Sequence, residues 1–170
     1  MEAKTELKYI LSNINDLLKF GEAKHGGLLV LNSALVIGII SSYSTLAHLT
    51  IKPILLIGII SFGISVSLSI VSQFPVTHNI FYNKKDLNAT NIYFYGHLAH
   101  IDLDQFIVAY KLTDENFNPT KFDTDLINQI LVNSRITRRK FILFKYASYC
   151  TAFGFGIIGL STIIKVIWHL

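Results

Sequence analysis

Three runs without a charged residue, Gly26 to Ile51, Pro53 to Asn83 and Tyr146 to Ile164, constrain this chain more than anything else in it. Bilayer hydrocarbon is about 30 Å thick and a helix rises about 1.5 Å per residue, so roughly 20 apolar residues cross it. Each run is long enough, the third only just. The sequence therefore predicts an all-α, multi-pass membrane protein with three transmembrane helices. An N-terminal amphipathic helix and a small helical cytoplasmic unit complete it.

The expected order is an amphipathic helix and membrane approach over 1–25, then spans over 26–48 and 53–73. A cytoplasmic sensing unit follows over 74–144, and a last span over 145–167. That middle segment is too short for a typical enzyme domain of about 100 to 150 residues. The first 25 residues are polar and carry acids, unlike a secretory signal. The single cysteine, Cys150, lies in the third run, so the sequence offers no disulfide framework and no zinc cluster.

Lysine and arginine near spans set orientation. Lys19 and Lys24 precede the first span, and Lys52 alone lies in the turn after it. Lys84, Lys85, Arg135, Arg138, Arg139, Lys140 and Lys145 fall in or beside the middle segment, and Lys165 follows the third run. This distribution places the N-terminus and the middle segment in the cytoplasm and the C-terminus outside. The net charge of +4 is mostly this topology signal and argues for no nucleic acid polymer as partner.

Leu7, Ile10, Leu11, Ile14, Leu17 and Leu18 recur at helical spacing, predicting an amphipathic helix that leads into the first span. Gly21, Gly26 and Gly27 predict a bend or a close helix contact there. Ser61, Ser65, Ser69 and Ser72 share one face of span two; close helix packing is the favoured reading, a weakly polar pore wall in an oligomer the other. Span three repeats the pattern with Ser148, Ala152 and Gly156. Pro75 ends or kinks the second helix. Asp102 and Gln105 predict a capping box for a helix to about Lys111. Asn116 to Thr120 is a loop, and one helix is expected from about 121 to 167, roughly 70 Å long. Such a helix joins the middle unit directly to the membrane.

Catalysis finds no support. GFGIIG at Gly154 to Gly159 lies in lipid with no strand before it, so it is no dinucleotide site. His97, His100, Asp102 and Asp104 lack the spacing of a zinc hydrolase, and capping and hydrogen bonding outweigh a metal role. The sequon Asn88-Ala89-Thr90 lies on the cytoplasmic side. Arg135, Arg138, Arg139, Lys140 and Lys145 read first as anchors to anionic lipid, second as a phosphate clamp at Arg135 or Arg138. Tyr93, Phe94 and Tyr95 could stack on a base, although a buried aromatic cluster is commoner. Asn32 lies inside the hydrocarbon and is expected to bond across helices. Glu22 and Lys24, just outside the membrane, read first as structural.

Three motifs carry a resemblance. Phe20-Gly21-Glu22-Ala23-Lys24-His25-Gly26-Gly27-Leu28-Leu29-Val30-Leu31-Asn32 resembles the F-A-D-T-K-A-G-x-L-L-x-x-N approach to the first span in the bacterial Pycsar effector transmembrane family. Gly21, Glu22 and His25 depart from it. Phe94-Tyr95-Gly96-His97-Leu98-Ala99 resembles that family's F-F-G-H-I-A. Asp125-Leu126, Gln129-Ile130 and Asn133-Ser134-Arg135-Ile136 resemble its third motif.

The resemblance implies a non-enzymatic antiphage effector of the bacterial inner membrane. It would answer a cyclic pyrimidine mononucleotide, cCMP or cUMP, made by a partner cyclase. A homo-oligomer would then compromise the membrane and arrest or kill the infected cell, with no cofactor or metal. On this reading Arg135 or Lys24 would meet the phosphate, and Gln129, Asn133 or His97 the base or ribose. The small-residue faces of spans two and three would line the leak. A membrane effector gated by a cyclic oligonucleotide and a ligand-independent structural membrane protein are the alternatives.

Overall fold

The computed structural model describes residues 2–49, 52–74 and 91–168; Pro75, Lys84, Lys85 and the Asn88-Ala89-Thr90 sequon lie outside them. Among the described residues every regular element is a helix. These are α1 (Glu2–Ser41), α2 (Tyr43–Leu49), α3 (Lys52–Gln73), α4 (Tyr95–Leu98), α5 (Leu103–Lys111) and α6 (Lys121–Trp168). Three of them, α1, α3 and α6, carry stretches long and apolar enough to cross a membrane. α1 runs through Gly21, Gly26 and Gly27 as one helix. Each glycine costs a helix up to about 1 kcal/mol against alanine, an amount that tertiary contacts readily override.

The chain divides into two compact units. The first comprises Met1–Gly21 and Pro75–Phe141, the second Glu22–Phe74 and Ile142–Leu170.

In the first unit, the start of α1 and the start of α6 run parallel. Lys4 Nζ lies 4.4 Å from the Phe122 ring centre, and the Asn133 amide donates to Asn15 Oδ1 at 2.8 Å. Leu7, Ile10 and Ile14, spaced by three and four, turn one face of α1 into the core. There they join Ile92, Leu98, Ile101, Phe106, Tyr110, Phe117, Ile127, Ile130 and Leu131. The predicted capping box forms. The Asp102 carboxylate accepts from the Gln105 N–H at 3.0 Å and Gln105 Oε1 from the Asp102 N–H at 3.2 Å. A second reciprocal cap opens α6, where Asp123 Oδ2 accepts from the Thr120 N–H and hydroxyl and Thr120 Oγ1 from the Asp123 N–H.

In the second unit, α3 runs antiparallel to α6, and both approach closely where glycine permits. A Cβ on Gly154 would come within 2.8 Å of the Phe62 ring, and one on Gly58 would collide with Ile158. Each glycine is the hole for a knob on the other helix. Outward faces carry apolar side chains such as Val30, Ile37, Leu56, Ile60, Phe153 and Leu160, as lipid contact requires.

Candidate functional site

The Phe94–Ala99 motif follows a turn at Ile92–Tyr93 and forms the single helical turn α4. Asn91 organises it. Its side-chain oxygen accepts from the Tyr93 N–H at 2.9 Å, and its carbonyl accepts from the Phe94 N–H at 3.2 Å. Its own N–H donates to His97 Nδ1 at 3.1 Å. Leu98, Ala99, His100 and Ile101 are buried and fix the end of the segment to the core. Gly96 has a packing reason: a Cβ there would lie 2.5 Å from Phe94 Cε1, because the Phe94 ring covers it. That ring meets His97 edge-on at 5.3 Å between centroids and Tyr95 at 5.0 Å. The expectation of a buried aromatic cluster is only partly met: Phe94 keeps 45% of its surface exposed, whereas Tyr95 packs on Phe141 at 5.5 Å.

Arg135 on α6 donates from Nη2 to the Ile101 carbonyl at 3.0 Å, bracing the turn between α4 and α5. Asn133 instead serves α1 through Asn15. Two residues are about 200° apart around a helix, so Asn133 and Arg135 address different neighbours. Gln129, four residues before Asn133 on the same side, is exposed. Lys24 belongs to the second unit, where its Nζ lies 5.2 Å from the Phe144 ring centre. Of the four in the first unit, His97 and Arg135 bond to the 91–101 segment, Asn133 bonds to Asn15 of α1, and Gln129 lies on the same side of α6 as Asn133.

The sequence held no sign of Glu6. Its carboxylate accepts from the Tyr110 hydroxyl at 2.6 Å and from the Tyr93 hydroxyl, joining α1 to α5 and to the turn before α4. Burial first, then this bond, pushes the Tyr110 phenol above its ordinary pKa of 10. The bond to Glu6 is the main reason Tyr93 is raised too. Partners so distant along the chain leave no spacing to read. Among the described residues no three His, Cys, Asp or Glu side chains gather as a metal ion would need.

The second unit holds a closed polar seam between its spans. Asn32 donates to Ser65 Oγ at 3.1 Å and to the Leu28 carbonyl at 2.8 Å. Its Oδ1 accepts from Thr151 at 3.1 Å, Ser65 and Thr151 share a 2.9 Å bond, and Ser65 reaches the Ala147 carbonyl at 2.8 Å. Ser61 donates to the Cys150 carbonyl at 2.7 Å. Ser69 and Ser72 are buried as well. The serine face of span two thus packs inside the chain, as the favoured reading of close helix packing expects. Of the departures in the first motif, His25 is fully buried, edge-on to Phe144 at 5.6 Å. An alanine at Gly21 would meet Lys140 Cβ at an ordinary 3.6 Å.

Fold and polar network together define an all-helical, multi-pass membrane protein whose first unit carries the second and third motifs. The family described as Pycsar effector protein domain matches residues 6–166, and the chain belongs to that family. It is a membrane effector of antiphage defence, from a family of non-enzymatic effectors. No curated protein and no solved structure matches the chain.

Proposed function

We propose that this effector senses a cyclic pyrimidine mononucleotide, cCMP or cUMP, through its first unit and answers by breaching the bacterial inner membrane. The ligand comes from a partner cyclase switched on by infection, and the breach arrests or kills the cell. The observation that carries this reading is the family match over nearly the whole chain. In support, α1 and α6 each contribute residues to both units.

Within the first unit Arg135 is assigned to the phosphate, since a cation there offsets its charge and a guanidinium fork matches its oxygens. His97, Gln129 and Asn133 are assigned to base or ribose. Ligand binding shifts the protein only by its differential affinity for two arrangements, so the bound form must differ at these contacts. The basic residues between Arg135 and Lys145 support a cytoplasmic first unit and N-terminus, with the C-terminus outside.

The Asn32 amide and the Ser65 and Thr151 hydroxyls bond to one another within a single chain. On this reading leakage involves several copies, or parting of the spans. A direct test co-expresses the chain with a cyclase making cCMP or cUMP and follows membrane potential and growth. Depolarisation before growth arrest, only with an active cyclase, is expected; unaltered potential and growth would overturn the reading.

A further inference from the structure

Phe94 and His97 are arranged as a receptor for a flat heterocycle, and both lie in the first unit. The Phe94 ring is backed on one side by Gly96 and edge-on by His97, yet nearly half of its surface is open. An apolar ring of this size at the surface loses hydrophobic free energy unless something covers it, and an aromatic held by its neighbours covers best by stacking. His97 supplies the polar partner. A backbone N–H can only donate, so the Asn91 N–H fixes Nδ1 of His97 as an acceptor without a proton. The ring's proton then sits on Nε2, which finds no partner among the described residues. The result is a stacking surface flanked by one directed N–H donor.

We infer that Phe94 stacks on the base of the cyclic nucleotide and that His97 donates from Nε2 to a carbonyl on that base. This deepens the nucleotide-sensing reading and rests on it. Cytosine and uracil both carry such a carbonyl next to the sugar bond, so the pair suits either pyrimidine. It leaves cCMP and cUMP to be told apart elsewhere. Gly96 follows as a positioning residue, since any side chain there displaces the Phe94 ring.

The test uses the full chain in nanodiscs, titrated separately with cCMP and cUMP, with the ligand's H5 and H6 protons followed by NMR. In the wild type, binding moves these protons upfield through the ring current of a stacked aromatic. Phe94→Leu keeps the apolar bulk without the π face; it is expected to lose the upfield shift and to bind roughly 5- to 150-fold more weakly. Phe94→Trp retains both.

At position 97 two variants separate ligand contact from turn support. His97→Gln keeps a donor near Nε2 and loses the acceptor at Nδ1, whereas His97→Asn does the reverse. Contact with the ligand predicts tighter binding by the Gln variant than by the Asn variant; the opposite order makes His97 a turn support only and overturns its assignment. Unchanged affinity and upfield shift in Phe94→Leu overturn the stacking. Failure of the correctly folded wild type to bind either nucleotide overturns the nucleotide-sensing reading itself.

Discussion

Glu6 and Tyr110 meet through a 2.6 Å hydrogen bond between the first turns of α1 and the last turn of α5, with Tyr110 almost wholly buried. The Tyr93 hydroxyl shares the same carboxylate. Hydrogen bonds to a charged group contribute about 1.5–3 kcal/mol, and removing one partner strands the other. Glu6→Ala is therefore expected to destabilise the first unit by about 2–3 kcal/mol, read as a lowered thermal midpoint of purified protein. An unchanged midpoint would show that water replaces the carboxylate without loss.

The same contact sets a response to alkali. Both phenols are raised above 10 in the folded chain, so between pH 10 and the folded value only the unfolded state releases these protons. Stability is therefore whole below about pH 10 and falls as pH rises past it. Phenolate absorbance at 295 nm should show two late-titrating tyrosines, and Glu6→Ala should move them earlier.

In the second unit, Asn32→Leu removes the bonds that α1 makes through Asn32 to both other spans. Ser65 and Thr151 keep each other and the Ala147 carbonyl, so the loss should be moderate, about 1–2 kcal/mol. Thermal unfolding in detergent checks this, and Ser65→Val in the Asn32→Leu background should cost less than it does alone, because the two share a network.

Gly96→Ala separates stability from recognition. The atoms it displaces are the far end of an exposed Phe94 side chain, which can swing away, so the unfolding midpoint should hardly move. Ligand affinity should fall several-fold, because the ring leaves its place over residue 96. A large loss of stability with normal affinity would contradict this division.

Much of the fold was legible because its signals are local. Charge-free runs announced three spans, the spacing of Leu7, Ile10 and Ile14 announced a buried face, and Asp102 with Gln105 announced a cap. Leu17 and Leu18 share that helix yet are only half-buried, since spacing does not say how wide the partner is. The turn at Asn91 was hidden, because it depends on His97 Nδ1, six residues on, accepting a backbone N–H. Phe94 read as core for want of any signal that Gly96 would hold it at the surface. Gln129, Asn133 and Arg135 lie within seven residues, but helical phase separates Asn133 from Arg135. Proximity in sequence is a poor guide to a shared site on a helix.

Arg135→Ala should abolish the response to nucleotide while the protein still accumulates in the membrane. Loss of its bond to the Ile101 carbonyl lowers stability as well, so Arg135→Lys is the sharper variant: it keeps a charge and loses the fork. A normal response from the Ala variant would remove Arg135 from the phosphate.

The most direct measurement reconstitutes the pure protein in dye-loaded liposomes and adds cCMP, cUMP, cAMP, cGMP and a cyclic dinucleotide one at a time. Dye release is expected with cCMP or cUMP and none with the purine mononucleotides or the dinucleotide. Release with the dinucleotide alone, or no release with any of them from correctly inserted protein, would contradict it.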